Sequence, residues 1–429
     1  MPKIQSDQRA QDLGRSSHAD VIVVGGGLAG LSLAAALGDA GIDTILVERQ
    51  PLPTMAGVRY DGRTTAIAHG SKLALEAIGA WPLMADHAAP ILEIRVSDGR
   101  PDGYTSPLFL HYDHAEVGDH PLGYIVENRF IRAALARRIA DCPSVRVLAP
   151  ATVAAMAEGD GLATLTLDDG RMLRAQLVAA CDGRHSPLRT VAGIPVTEYR
   201  YRQTALVCNI LHERPHGGIA HERFLPGGPF AILPMTDVED GPLRHRSSIV
   251  WSEDADVAAG IALLDDDGFA RELGRRLGDF LGRFAVEGQR AAYPLSLHLA
   301  FTYGRGRLVL VGEAAHGIHP IAGQGLNMGW RDVAALAEEV VDARRLGLDV
   351  GSPEIVRRYQ ARRRGDNLLL AAVTDGLNRL FSNDIPGLRR ARDVGLAIVN
   401  RLPPLKRTLM RHAMGVLGDQ PRLVRGERL

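Results

Sequence analysis

Gly25, Gly27 and Gly30 stand at G-x-G-x-x-G spacing, directly after the apolar run Val21-Ile-Val-Val24 and directly before a helical pattern opening at Leu28-Ala29. That spacing serves phosphate chemistry. The first glycine permits a tight turn, the second lets backbone approach a pyrophosphate, and the third lets helix pack on strand. The helix N-terminus then faces the phosphates. Glu48, followed by Arg49, ends the next apolar run, about 20 residues on, where a carboxylate accepts from ribose hydroxyls. A second glycine-bearing segment lies far down the chain, Leu308-Val-Leu-Val-Gly312-Glu313, followed by a loop over 316–325 holding Pro320, Gly323, Gln324 and Gly325. Glu313 is placed to bond a ribityl hydroxyl. Amides of a helix beginning near Gly325-Leu326-Asn327 would face the enclosed space and favour an anionic ring edge by about 0.3–1 kcal/mol, as preorganised donors. The first fingerprint does not separate NAD from FAD. Two distant grips on one long cofactor point to FAD, with Pro320, Gly323 and Gln324 as the flavin-edge environment and no side-chain base assigned.

A third element, Cys181-Asp182-Gly183-Arg184-His-Ser-Pro-Leu-Arg189, follows another apolar run. The chain has no second dinucleotide fingerprint, so a nicotinamide donor would bind transiently across a surface. Arg184 and Arg189 either attract its phosphates or are simply solvated. His316 and His319 read first as structural or cofactor-edge residues, then as a catalytic base, and least as metal ligands, because their spacing falls in a loop. No metal site is expected.

These groups need a scaffold. The run at 20–24, a helix over 28–38 and a strand over 44–47 make a β-α-β unit. Residues 55–70 read as loop, 91–96 as a strand, 97–120 as irregular, and 129–139 as a helix. Residues 199–300 hold β-rich pieces at 204–210, 230–234 and 247–251 and one helix over 267–284. The chain returns to a buried strand at 307–311 and a helix over 325–346. Ser352-Pro353-Glu354 carries cap, first-turn proline and acid, and opens another helix. The expected fold is α/β: an FAD-binding Rossmann-like domain with an inserted, mainly antiparallel β substrate lobe and a helical C-terminal region. The expected divisions are a disordered tail over 1–17, a discontinuous FAD-binding domain over 18–90, 121–196 and 301–345, a β lobe over 91–120 and 197–300, and a basic helical region over 346–429.

Bulk composition sets outer limits. The 429 residues carry 50 Lys+Arg against 50 Asp+Glu, so no overall field draws the chain to nucleic acid or anionic lipid. Three widely spaced cysteines, Cys142, Cys181 and Cys208, fit core thiols in a reducing compartment. No apolar run approaches the roughly 20 residues of a membrane span. A cytoplasmic protein, at most peripheral on the inner membrane face, is expected. From Arg401 onward six Arg and one Lys face only Asp419 and Glu427. With Arg357, Arg358, Arg362, Arg363 and Arg364, and with Lys406, Arg407 and Arg411 set among leucines and methionines, this region reads as a lipid- or partner-facing surface, or as the basic face of packed helices.

The three elements, in this order, resemble the class A flavin-dependent aromatic hydroxylases, the group of para-hydroxybenzoate hydroxylase. Within it the chain is most similar to the ubiquinone-biosynthesis hydroxylases (the UbiH/UbiF/VisC family). The matching segments are Asp61-Gly-Arg63, Gly123-Tyr-Ile-Val-Glu-Asn-Arg129, His319-Pro-Ile-Ala-Gly-Gln-Gly-Leu-Asn327 with Arg331-Asp332, and Thr374-Asp-Gly-Leu-Asn-Arg-Leu-Phe-Ser-Asn383. The last is characteristic of the quinone branch. The resemblance implies that Arg63 and Arg129 contact FAD, Arg129 near the pyrophosphate. It further implies that Asp182 and Gly183 serve FAD and donor, that Glu313 holds the ribityl chain, and that 320–327 line the isoalloxazine. Glu313 departs from the usual Asp of the family. The implied reaction is NAD(P)H-dependent: O2 adds to the reduced flavin, and a C4a-hydroperoxide hydroxylates a polyprenylated phenol of ubiquinone biosynthesis. Quinone-synthesis proteins and the membrane are the implied further partners. The competing readings are a non-catalytic FAD component of such an assembly, and a lipid reductase or halogenase of the same fold.

Overall fold

The computed structural model describes residues 17–52, 60–383 and 385–429. The chain begins with β1 (His18–Val24), α1 (Leu28–Asp39) and β2 (Thr44–Val47), then β3 (Thr64–Ala68), α2 (His69–Ala77), β4 (Ala88–Ile91), β5 (Glu93–Asp98), β6 (Leu110–Asp113) and β7 (Gly123–Glu127). Next come α3 (Asn128–Ala140), β8 (Val145–Leu148), β9 (Val153–Gly159), β10 (Leu162–Leu167), β11 (Met172–Ala180) and α4 (Pro187–Val191). A β-rich stretch follows: β12 (Val196–His212), β13 (Ile219–Leu225), β14 (Gly228–Met235), β15 (His245–Asp254), α5 (Ala255–Ala262), α6 (Asp266–Leu277) and β16 (Phe284–Ala300). The chain ends through β17 (Gly304–Arg305), β18 (Leu308–Leu310), β19 (His316–Gly317), α7 (Gln324–Arg345), α8 (Pro353–Phe381), α9 (Pro386–Asn400) and α10 (Pro403–Ala413).

The first sheet runs β17-β18-β11-β1-β2-β8, with β10 and β9 continuing from β11. Its centre is parallel: β1 lies between β11 and β2, and β18 adds beside β11. Val21 to Val24 are all buried, as an apolar run covered on both faces requires. Residues 30–38 of α1 are likewise buried, wedged between this sheet and α7, where Trp330 Nε1 donates to Ser32 Oγ at 2.9 Å.

The second sheet runs β19-β16-β12-β15-β14-β13-β5-β6, antiparallel except where β13 meets β5. One face is closed by α5 and α6 through Phe230, Trp251, Phe269 and Leu273. The opposite face turns toward a small third sheet, β3-β7-β4, and toward α10. The α/β class with an antiparallel lobe and a helical C-terminal region is the class the sequence leads one to expect.

Several expected elements differ. Residues 64–70 are not loop: β3 pairs with β7 and runs directly into α2. The helix expected to 284 stops at Leu277, because Gly278 takes φ +76° and Phe284 opens β16. Residues 110–113 within the supposedly irregular stretch pair with β5. Ser352 caps α8 by backbone conformation alone, without a side-chain bond. The tail over 1–16 and residues 55–59 of the expected loop lie outside the described residues.

The basic C-terminal surface also needs correction. Arg363 is buried against Asp332 and Asp366, and Lys406 is buried against Glu116. Arg362 pairs with Glu338 and Glu339, while Arg357 and Arg358 pair with Glu354. Arg401, Arg407 and Arg411 remain exposed beside a stripe of exposed Val394, Ile398, Leu402, Leu405 and Leu409.

Candidate cofactor and active site

The loops at the carboxyl ends of β1, β2, β11 and β18 open into one cavity of about 830 Å³. Small-molecule sites span roughly 300–1,000 Å³, so the space suits a large ligand. Ligands in open α/β sheets bind at this edge.

Each fingerprint glycine has its own reason. Gly25 takes φ +106°, and a Cβ there would lie 2.4 Å from the Cys181 carbonyl oxygen. A Cβ on Gly30 would lie 1.9 Å from the Gly25 carbonyl oxygen. Gly27 faces open space, with no protein atom within 4 Å of an added Cβ. It lines the cavity together with Leu28 and Ala29 at the start of α1, where backbone donors point at a ligand.

Glu48 and Arg49 also line the cavity. Glu48 is already engaged: its carboxylate accepts from the Gly26 and Gln50 N–H groups, so it fixes the glycine turn as well as presenting acceptor capacity. Arg63 lines the cavity while paired with Asp61 at 3.0 Å. Arg129 does not line it. Its Nε lies 2.9 Å from Glu127 Oε2 and its guanidinium covers the Tyr60 and Phe130 rings. Asn128 and Arg132, four residues apart on one face of α3, take the wall instead. The sequence reading fixed on Arg129 and missed that pair, although helical spacing could have found it.

After β11, Asp182 and Gly183 reach the cavity. Asp182 Oδ2 accepts from the Leu188 N–H at 3.3 Å, but Oδ1 is buried without a partner among the described residues. Burial raises the Asp182 carboxyl above its ordinary value, against the opposing pull of Ser186 and nearby backbone donors. Arg189 is neither solvated nor free for a phosphate: it is buried and donates to the Ala314 and Arg184 carbonyls at 2.8 and 2.9 Å. Arg184 does line the cavity, held by Ser296. Glu313 sits at the rim, its carboxylate reaching Arg184 at 3.5 Å.

Beneath Gly312 lies a buried polar hub around Asp332, a residue the sequence reading quoted without a role. Asp332 accepts from the Gly312 N–H (3.1 Å), Arg363 Nε (2.8 Å) and Asn367 Nδ2 (3.1 Å), and lies 2.5 Å from His316 Nε2. Burial alone would raise this carboxyl. His316 and Arg363 overcome it and hold Asp332 well below the usual carboxylate range. His316 lines the cavity and is fixed by this bond.

The 320–327 segment divides. Gly325 and Leu326 line the cavity at the N-terminus of α7, and a Cβ on Gly325 would meet nothing within 4 Å. Asn327 turns away: its amide donates to the Ala66 and Gly323 carbonyls and accepts from the Ala68 N–H, locking β3 to α7. Pro320, Gly323 and Gln324 do not line this cavity. Gly323 takes φ +60° against Ala66, and Gln324 reaches the Ala413 carbonyl. His319 is fully buried and pushed down to about 4 by burial. Its Nε2 lies 3.3 Å from Gln203 Oε1, which also accepts from Asn378 Nδ2 at 2.9 Å. The 374–383 segment of α8 thus reaches the 316–325 loop through Gln203.

FAD fits these residues. Gly27 and Gly325 leave open backbone lining one cavity, and Asp182 Oδ1 is a buried acceptor lacking a donor among the described residues. The family described as FAD binding domain matches residues 18–365. Ubiquinone hydroxylase UbiL of Rhodospirillum rubrum is 48% identical over 411 residues, 95% of this chain and 93% of that protein. The 3-demethoxyubiquinol 3-hydroxylase of Escherichia coli is 33% identical over 92% of this chain and 98% of its own. The crystal structure of p-nitrophenol 4-monooxygenase PnpA from Pseudomonas putida superposes with a TM-score of 0.76 at 21% identity, over 94% and 99% of the two chains. The chain belongs to the FAD-binding-domain family, within its ubiquinone-hydroxylase branch.

Proposed function

We propose that this chain is an FAD-dependent monooxygenase that hydroxylates the ring of a polyprenylated phenol in ubiquinone biosynthesis, with NAD(P)H as donor and O2 as oxidant. The observation that carries the reading is near full-length identity of 48% to a ubiquinone hydroxylase, in a chain whose cavity is lined by open backbone at Gly27 and Gly325. When bound, FAD supplies the redox chemistry: reduction by the nicotinamide and activation of O2. The protein binds, orients and excludes water.

In this reading the α1 N-terminus and Gly27 receive the pyrophosphate, with Arg132 and Arg63 as counter-charges. Glu48 serves the adenosine ribose. Asp182 and Glu313 take the hydroxyls of the ribityl chain. The Gly325 and Leu326 amides at the head of α7 favour negative charge on the ring edge, by about 0.3–1 kcal/mol. The second sheet presents the substrate. The donor docks transiently near Arg184.

The exposed stripe on α9 and α10, flanked by Arg401, Arg407 and Arg411, suits contact with an anionic lipid surface, where a polyprenylated phenol resides. Among the described residues no helix is long and apolar enough to cross a membrane, so such contact would be peripheral, on the cytoplasmic face. Turnover with NADPH, a prenylated phenol and oxygen-18 gas tests the function. One labelled oxygen per product molecule is expected; donor consumption with unlabelled product would refute the reading.

A further inference from the structure

The face of the second sheet that meets the flavin-side elements mixes apolar side chains with Asp98, Asn209, Arg246 and Ser248, each already bonded. Alternation along β13 puts Ala220, Glu222 and Phe224 on that face, and His221, Arg223 and Leu225 on the other. The contacts agree. Ala220 packs in a cluster with Met235, Tyr112 and Ala66 of β3, and Phe224 packs with Leu110 and Ile321 of the flavin-side loop. Arg223 instead donates to the Arg276 and Leu277 carbonyls on the α6 side. Glu222 therefore lies between two patches that each include a flavin-side residue, Ala66 and Ile321.

Its neighbours across the sheet are Val96 of β5 and Ala231 of β14, and Ala231 is followed by Val250 and Val207 in register. Val96, Glu222, Val250 and Val207 are only half-buried although they stand on interior strands. Side chains there normally close against a covering layer. Partial exposure of these four leaves a gap in the cover over Glu222, whose neighbours across the sheet are apolar. Among the described residues, Glu222 has no hydrogen-bond or ion-pair partner, and burial alone raises it to about 7.

We propose that Glu222 is a catalytic base: it accepts the ring hydroxyl of the phenolic substrate and takes its proton as oxygen is attached to the ring. This rests on the hydroxylase reading above. The step is a proton transfer. The phenolic O–H bond breaks, its electron pair stays on the ring oxygen and enriches the ring, and the proton bonds to a Glu222 carboxylate oxygen. Glu222 returns a proton to the ring oxygen when the substituted carbon gives up its hydrogen to water. O2 and NAD(P)H remain the only oxidant and reductant. A carboxyl that titrates near neutrality is matched to this work.

Other charged groups on this face are already committed. Asp98 of β5 is paired with Arg392 of α9, and Arg246 of β15 with Glu127 of β7 and Glu287 of β16. Lys406 of α10 is taken by Glu116. Tyr60, beside Arg246, is raised by burial, and Tyr112 of β6 is pushed up to about 12, so neither titrates near pH 7.

The test uses FAD-loaded protein and a short-chain 2-prenylphenol as probe, in wild type, Glu222→Gln and Tyr112→Phe. The ionised carboxyl accepts the hydroxyl more strongly than the protonated one, so apparent affinity rises with its ionised fraction, by at most the ratio of those fractions. Probe affinity, read by flavin fluorescence, is expected to rise by up to about tenfold from pH 6 to pH 8 in wild type and Tyr112→Phe. It should be flat in Glu222→Gln. Hydroxylation by Glu222→Gln should fall about 100-fold, within the usual range for a lost base. An unaltered pH slope or an unaltered hydroxylation rate in Glu222→Gln overturns the proposal, as does a flat wild-type affinity profile. Should wild type bind the probe with the expected slope yet form no hydroxylated product, the functional reading fails, and with it Glu222 as a base.

Discussion

Gly27 and Gly30 lack a side chain for opposite reasons. At Gly30 an added methyl would strike the Gly25 carbonyl at 1.9 Å, a backbone atom that cannot yield cheaply. At Gly27 the same methyl meets no protein atom. Gly30→Ala is therefore expected to lower the unfolding free energy of the apoprotein, and with it the urea midpoint, by about 1–3 kcal/mol or more, the cost of overpacking. Gly27→Ala should leave that midpoint unchanged and weaken flavin binding by roughly tenfold, equivalent to about 1.4 kcal/mol, in a fluorescence titration. Asp332 poses the complementary case. Asp332→Asn leaves Arg363 with Asp366 as its remaining carboxylate and takes the carboxylate from His316, a loss of up to about 3–5 kcal/mol by analogy with broken buried pairs. The folded carboxyl titrates below its unfolded value, so its contribution is complete above the unfolded value and is lost as pH falls toward the folded one. Wild type should lose stability on acidification below about pH 4, and Asp332→Asn should lack that component in acid-unfolding curves. Glu222 has the reverse sign. Its folded value lies above the unfolded one, so ionisation destabilises the fold as pH rises toward 7, and Glu222→Gln should gain stability over wild type above that point.

Elements were legible where burial was uniform. Thr44–Val47 is bounded as the sequence reading had it, and α1 and α7 differ by a residue, because a strand covered on both faces and a packed helix leave unbroken apolar patterns. β16 escaped. Its sequence carries Glu287, Gly288, Gln289, Arg290 and Pro294, and the strand is half exposed with register shifts against β12, so no alternation marks it. β3 was hidden for another reason: it is short and held by Asn327 from the far end of the chain. Site residues follow the same division. Backbone-determined positions such as Gly25, Gly27, Gly312 and Gly325 stand where spacing put them, at the cavity. Side-chain positions fared worse. Arg189 and Asn327 are occupied by partners that the tertiary fold brings near, Arg129 is taken by Glu127 two residues before it and by the distant Tyr60 ring, and Arg132 and Asp332 hold places that single-sequence reasoning left empty.

At the scale of the molecule, charge balance conceals a local asymmetry. The cationic surface is smaller than a count of arginines suggests, because Arg362, Arg363 and Lys406 are spent on internal carboxylates. What remains is the apolar stripe from Val394 to Leu409 with three exposed arginines. Co-sedimentation with vesicles containing anionic lipid is expected for wild type. It should drop severalfold for the double variant Ile398→Glu, Leu405→Glu, by the cost of placing charge at the lipid boundary; equal sedimentation would remove membrane contact from the functional picture. α8 runs past both lobes as a single 29-residue helix, and it touches each with the same face: Arg363 and Asn367 at the Asp332 hub, Asn378 and Phe381 at the second sheet. Such a rod keeps phase. One alanine inserted between Asn367 and Thr374 would swing everything beyond it by about 100°, setting one end or the other out of step, whereas surface loops elsewhere should tolerate the same insertion. The chain's length through that stretch is thus held as strictly as its chemistry.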